Sequence, residues 1–482
     1  MTAHTSMFAS LPSTLSRADQ KRWEHTRLRI RLLRGTWAED LERRRLQFFD
    51  PTALRVQGLC DVTKNCFRST IGQLAALYDL AYRVSNDGGA ADDMEAIIKA
   101  AGLPQLEIRH HRNVVGLRES LLVPRVAGTG TEARMIYRAV TPDFIEAEAP
   151  MDDPDQPDFL VEFRARKDPV TKRKVWTRDV WNVRDLDNPS FHVEDAQGKP
   201  TDKFDPRLDG EAYVWRYTQA PRAGVPFIPH ELTHAERTGM LFDPWEGHEL
   251  VDGALNTGVL FSFWNHVVRD ASWPQRWAIN AVPVGARGDT KDEGLTYIPL
   301  DPSSLLMLKT QTTSGSITAA VGQWAATADP GILLRTICDY AAQLAIDYGI
   351  SPTDIQRTTG NAQSGFAVEL TRDGVRTAQR RFRPEARRSD ERLLEKTAAM
   401  MNRARGGVAA KLPESGYMLN YRGLPLTIAE QRLAQDRNKA DREIGIASVV
   451  DLFMEVHGVS RVHAEQRLRQ IQADNISFPT VR

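Results

Sequence analysis

DPGILLRTICDYAAQLAIDYGISPTDIQRTTGNAQSGFAVEL, residues 329–370, carries the reading of the fold. Its first half is a helix with both ends marked. Asp329 is an acid cap, Pro330 takes the first helical position and Gly349 supplies a stop. Ile337, Tyr340, Leu344 and Ile346 run along that helix. From Gly365 a second helical pattern begins, continuing to about Arg405. Between the two lies SPTDIQRTTGNAQS, residues 351–364, polar and short of hydrophobic anchors. Loops of this size inside compact domains are usually functional or disordered.

Downstream, Phe366, Leu370, Ala378, Phe382, Ala386, Leu393 and Met400 fit one face of the long helix. Pro384 predicts a kink rather than a break, and Gly406-Gly407 ends the pattern. GYMLNYRG then reads as a short strand. Thr427 and Glu430 have the spacing of a capping box, and two helices follow around 447–457 and 460–473.

Upstream, HELVDGALNTGVLFSFWNHVVRDAS places Val251, Leu255, Val259, Phe263 and Val267 at steps of four, with Trp264 and Val268 widening the stripe. The sequence between these two helices has short apolar runs broken by Gly and Pro, which predicts short strands and turns. Further upstream, from 105 to 217, the period changes to two. RMIYRAV, FLVEFRAR, KVWTRDVWNV and EAYVWRY read as strands, with a hairpin turn near Asp168-Pro169. Helices are expected at 16–49, 63–81 and 91–101, the last ended by Gly102-Leu103-Pro104. The fold class is therefore α+β.

The chain has 482 residues, enough for a large core and several domains. Lys plus Arg equals Asp plus Glu at 63 each, so net charge points to neither a nucleic-acid nor a membrane partner. The arginines at 27, 29, 31, 34 and 43–45 are either phosphate contacts or a solvated helix face, and interleaved acids favour the second. Cys60, Cys66 and Cys338 cannot build a disulfide framework, which fits a reducing compartment. The first residues lack the apolar core of a signal peptide, and no run approaches the roughly 18 apolar residues of a membrane helix. A soluble protein made in a cytoplasm is expected.

One run matches a catalytic pattern. His230-Glu231-Leu232-Thr233-His234 is an H-E-x-x-H, which on a helix binds zinc through both histidines while the glutamate activates water. Pro226 and Pro229 put His230 at or before a first turn instead of mid-helix. Arg237 and Met240 stand where an extended zinc motif needs Gly and His. A zinc-dependent hydrolase using His230, Glu231 and His234 is the alternative reading. His110-His111, after an expected strand, reads as a surface or satisfied pair, and Arg287–Asp289 as a turn. Phosphate-binding glycine loops and nucleophile elbows are missing from the sequence. No catalytic residue, metal or cofactor is expected.

The order of parts resembles the portal proteins of tailed bacteriophages, the head–tail connectors. The resemblance covers about Gly224 to the C-terminus. GVPFIPHELTHAER is similar to the segment before the first stem helix, and WEGHELVDGALNTGVLFSFWNHVVRDAS to that helix. YIPLDPSSLLMLK resembles the stretch leaving the clip, and LLRTICDYAAQLAIDYGISPTDI the second stem helix with its G-[IV]-x-P turn. SGFAVELTRDGVRTAQRRF resembles the start of the spine helix, and LPLTIAEQRLAQDRNKADREIGIASVVDLF the crown.

The resemblance implies an N-terminal wing at 1–244, stem helices at 245–271 and 329–350, and a clip with its connections at 272–328. It implies a tunnel loop at 351–364, a spine helix at 365–405 and a crown at 406–482. It further implies a non-enzymatic homo-oligomeric ring of about twelve subunits at one capsid vertex. Double-stranded DNA would pass through the ring in packaging and ejection. Other partners would be the terminase large subunit, a head-completion or adaptor protein, and the major capsid or scaffolding protein, with no membrane. The location would be the virion, assembled in the host cytoplasm.

A sliding polyanion must not be held tightly, because every cation–phosphate contact adds affinity and a ring multiplies it. A neutral chain suits such a lining. Gln356, Arg357, Thr358, Asn361 and Gln363 are the candidate DNA-facing residues of the tunnel loop. Leu255, Val259, Phe263, Trp264, Trp273 and Trp277 are candidate subunit-interface residues, or else ordinary core.

Overall fold

The computed structural model describes residues 17–48, 61–80, 82–86, 89, 91–204, 215–218, 223–242, 249–272, 275–279, 281–283, 308–310, 320–324, 329–350, 365–407, 410–421, 436–440, 442–445, 448–457 and 461–477. Its helices are α1 (Arg17–Arg34), α2 (Ala38–Arg45), α3 (Cys66–Leu74), α4 (Ala91–Ala100), α5 (Leu103–Leu117), α6 (Glu249–Ser272), α7 (Pro330–Asp347), α8 (Gly365–Arg405), α9 (Val449–His457) and α10 (Arg461–Ser477). Its strands begin with β1 (Arg83–Asn86), β2 (Glu119–Ala127), β3 (Arg134–Val140), β4 (Ile145–Glu148), β5 (Phe159–Lys167), β6 (Lys174–Asn182) and β7 (Ser190–Asp195). They continue with β8 (Trp215–Arg216), β9 (Pro226–Phe227), β10 (Glu231–His234), β11 (Gln275–Ile279), β12 (Ala281–Pro283), β13 (Leu308–Thr310), β14 (Ala320–Trp324) and β15 (Tyr417–Asn420). Among the described residues all the strand pairs are antiparallel, and helix and sheet are mixed as an α+β reading requires.

The chain divides into two compact units. The first joins residues 1–30, 71–246 and 358–482. It holds a four-stranded meander, β4-β5-β6-β7, and a three-stranded sheet, β10-β2-β3. The β5–β6 hairpin turns through residues 168–173, where Asp168 Oδ1 accepts from the Val170 and Thr171 amides at 2.8 Å each. This is the turn that Asp168-Pro169 marks in the sequence. The main core of the unit gathers Met94 and Ile98 of α4, Leu103 of α5, Leu122 and Tyr137 of the sheet, and Leu393, Leu394 and Met400 of α8. A second core under the meander holds Leu121, Ile145, Leu160, Trp181 and Leu232.

The second unit joins residues 31–70 and 247–357. Here α6 and α7 run antiparallel. Gly253, near the start of α6, faces Leu344, near the end of α7. Trp264, near the end of α6, donates its Nε1–H to the Pro330 carbonyl at the start of α7, at 3.0 Å. Between the two helices the chain forms nested strand pairs, β11 with β14 and β12 with β13. Helix α2 packs on α6, because Gly258 leaves room for the Trp37 ring and Leu41. The Asp61 amide donates to Ser262 Oγ at 2.9 Å, and Asn265 donates to Asp61 Oδ2 at 2.6 Å.

Several expectations hold. Asp329 caps α7, its Oδ1 accepting from the Gly331 amide at 2.7 Å, and Gly349 takes φ +77° after the last turn. Helix α8 runs 41 residues without a break at Pro384.

Others are corrected. The first helix, expected at 16–49, is broken by Gly35 at φ +78° into α1 and α2. The helix expected at 63–81 is only α3, nine residues. The strand-rich region starts at 119 instead of 105, because 103–117 is α5. Gly102 at φ +69° ends α4, and Pro104 then sits in the first turn of a new helix, where its missing N–H costs nothing. The inward face of α5 includes Glu107, His110 and His111, which breaks the apolar stripe that would have betrayed the helix. His110 and His111 are therefore buried helical residues, not a surface pair after a strand.

Candidate functional site

The H-E-x-x-H run is not at a helix start. It enters β10, which pairs with β2 so that Glu231 stands opposite Leu122 and His234 opposite Glu119. In extended chain, histidines four residues apart lie about 13 Å from each other, far beyond what one zinc ion spans. Neighbouring side chains also point to opposite faces. His230 Nε2 meets Glu162 Oε2 at 3.0 Å and its ring stands edge-on to Trp181, centroids 4.6 Å apart. Glu231 instead meets α8, with Arg392 at 2.7 Å and Lys396 at 2.8 Å.

The residues around this strand form a buried polar seam. Lys396 Nζ also donates to the His230 carbonyl at 2.7 Å. Thr233 Oγ1 lies 2.6 Å from Ser389 Oγ and 3.1 Å from His110 Nε2. Ser389, Arg392 and Lys396 recur at three- and four-residue steps, so one polar stripe of α8 matches the Glu231–Thr233 face of β10. On the other face Glu162 is paired with Arg138, whose Nη2 is 2.7 Å from Oε2.

The electrostatics fit structure, not catalysis. Burial would raise the Glu231 carboxyl, but Arg392 and Lys396 outweigh it and hold it below the usual range. Burial would likewise raise Glu162, yet the His230 hydrogen bond and Arg138 hold it well below. Burial pushes His230 below its ordinary value despite the Glu162 contact. A glutamate gripped by two cations, with its histidines facing another way, has no lone pair directed at a metal-bound water. Among the described residues no cluster of His, Cys, Asp or Glu could hold a metal ion. The geometry overturns the zinc-hydrolase alternative.

The arginines of α1 and α2 have internal partners. Arg31 makes a two-point contact with Asp40 at 2.6 and 2.7 Å, and Arg27 approaches Asp143 at 3.8 Å. Arg29 donates to the Gly116 carbonyl at 3.3 Å, and Arg45 pairs with Glu42 at 2.9 Å. Arg44 donates to Asn256 at 3.0 Å. Arg34 and Arg43 are exposed.

The helix pair of the second unit carries most of the other candidates. Leu255 and Val259 are buried within the subunit, Trp264 is half-buried, and Phe263 is 37% exposed. Trp277 lies in β11 opposite Gly322. Trp273 lies outside the described residues, as do Gln356, Arg357, Thr358, Asn361 and Gln363. On α7, Ile332 at 65%, Ile346 at 41% and Tyr340 at 36% are exposed, although they share the helix with the buried Ile337 and Ala345. Sequence reasoning did not single out these three as surface residues, because the pattern of α7 shows apolar positions without saying which face is covered.

No protein-family model matches the chain, and no curated protein matches it. Solved structures do. One is described as the virion of a native gene transfer agent particle, with 13% identity, 82% of this chain and 90% of that chain covered, and a TM-score of 0.34. Another is described as the neck of an empty gene transfer agent particle computed with C6 symmetry, with 13% identity, 82% and 89% coverage, and a TM-score of 0.35. These structures are virion and neck particles. At such scores the likeness carries no functional argument.

Proposed function

We propose that this chain is a portal subunit, a virion structural protein that assembles into a ring and conducts double-stranded DNA. The observation that carries the reading is the α6–α7 pair. Two antiparallel helices bracket nested strand pairs, and the 41-residue α8 follows in the chain. A helix pair with a small β insertion at its far end is the stem-and-clip order that the sequence resembles. The exposed apolar residues of α7 and the exposed Phe263 supply a face suited to neighbouring subunits, and a ring needs such a face on every copy.

In this reading 351–364 is the tunnel loop, and Gln356, Arg357, Thr358, Asn361 and Gln363 touch DNA weakly without reading bases. The ring sits at a capsid vertex, docks the terminase and later a head-completion protein, and performs no chemistry itself. Negative-stain imaging of the purified chain tests it. Rings with a central hole are expected, and a compact monomer at all protein concentrations would overturn the reading. Deleting 357–363 should spare the rings and lower packaged-DNA yield, and an unchanged yield would remove the loop from the mechanism.

A further inference from the structure

The first unit buries a second acidic centre, separate from the seam on β10. Asp390 of α8 is 3% exposed and Glu107 of α5 is 1% exposed. Asp390 Oδ2 accepts from the Tyr78 hydroxyl at 2.7 Å and from the Tyr421 hydroxyl at 2.5 Å. Tyr82 stands beside Glu107. The rings of Tyr78, Tyr82 and Tyr421 meet edge to face, with centroids 5.7 to 6.4 Å apart. Three phenols thus enclose two carboxyl groups that feel each other's charge.

Among the described residues, no lysine or arginine donates to either carboxyl. The groups facing the pair are mostly neutral or acidic: Tyr137 of β3, His111 of α5 against Tyr78, Glu231 of β10, and Glu391 of α8. Arg383 of α8 is aimed at Tyr421, donating to its carbonyl at 2.7 Å and lying over its ring. Arg392 and Lys396 are held by Glu231. The Tyr82 hydroxyl lies against the Glu107 carboxyl as a neutral partner. Two ionised carboxylates enclosed without a cation repel each other and lose their hydration, so such a pair retains a proton.

We propose that Glu107 and Asp390 form a proton-dependent latch: with one proton on the pair the Tyr78–Tyr82–Tyr421 enclosure that links α5 to α8 stays closed, and with both carboxyls ionised it loosens. The proton leaves to solvent and no other bond changes. Asp390 is the better anion, because two hydroxyls donate to it, and Glu107 is the better holder of the proton. Burial is the main force raising both carboxyls, Asp390 to about 7 and Glu107 well above its ordinary value.

The test uses the full-length chain. Thermal unfolding from pH 6 to pH 9 should show the wild-type midpoint falling as the pair ionises. Glu107→Gln keeps the shape without the ionisation, so its midpoint should change less and exceed the wild type at pH 9. Infrared spectra of protein labelled with carboxyl-13C glutamate should show a protonated carboxyl band at pH 7, lost in Glu107→Gln and kept in Glu391→Gln. Equal slopes with pH in wild type and Glu107→Gln would overturn the latch. If Glu107→Gln does not fold, the labelled wild type decides alone, and no protonated glutamate at pH 7 rejects the proposal.

Discussion

Glu231 shows what a motif match means when its surroundings are known. The same five letters that would ligate zinc on a helix make a strand here, and the carboxylate becomes the counter-ion of Arg392 and Lys396. Removing one partner of a buried ionic group leaves the others uncompensated, at a cost of about 3–5 kcal/mol. Glu231→Ala is therefore expected to lower unfolding free energy by about that much, read from urea denaturation. A change under about 1 kcal/mol would mean that water replaces the lost carboxylate. His230→Ala should leave zinc content unchanged and negligible, since the histidine binds Glu162. Stoichiometric zinc in the wild type, lost in this variant, would reverse the assignment. Pro226 and Pro229 are the legible sign in the sequence that His230 does not sit mid-helix. The true partners were not legible, because Glu162, Arg392 and Lys396 lie 68, 161 and 166 residues away from their contacts.

Among the secondary-structure elements, self-contained local signals are legible in the sequence. The Asp329-Pro330 start of α7, the Asp168 turn and the long reach of α8 each depend on residues near in sequence. Helix α5 is not legible in the sequence, because its buried face carries Glu107 and two histidines, whose partners come from other elements. The packing of α2 on α6 was invisible for the same reason, since a glycine in a helix pattern does not announce what fills its space. A Cβ on Gly258 would lie 2.8 Å from Trp37 Cη2 and 2.9 Å from Leu41 Cδ1. The indole is rigid, so Gly258→Ala should destabilise by about 1–3 kcal/mol despite alanine's better helix propensity. Gly253→Ala meets the flexible Leu344 side chain first, which can turn aside, and should cost less. Gly72 in α3 is exposed with nothing within 4 Å of a Cβ. Gly72→Ala should stabilise by about 0.5–1 kcal/mol. Unfolding midpoints of the three variants check the set, and an order other than Gly258→Ala lowest and Gly72→Ala highest contradicts the packing.

For the molecule as a whole, acid is the expected weakness. Burial holds His110 and His111 down to about 3, against an ordinary value of 6.5. The folded chain therefore refuses protons that the unfolded chain accepts, and stability falls as pH drops from 6.5 toward 3. Glu162 and Glu231 act in the same direction, because their folded values are depressed. Their contribution is present above the ordinary carboxylate range and is lost as pH falls through the folded values. His111 separates the two causes. Its Nε2 is buried without a hydrogen bond, and its ring stands edge-on to Tyr78 and Phe382, so an aromatic ring without a proton can take its place. His111→Phe should unfold at a similar midpoint at pH 7 and at a higher one than the wild type at pH 4.5, where the carboxylates are still largely ionised. A parallel loss in both proteins would instead trace the acid lability to the ionic seam on β10.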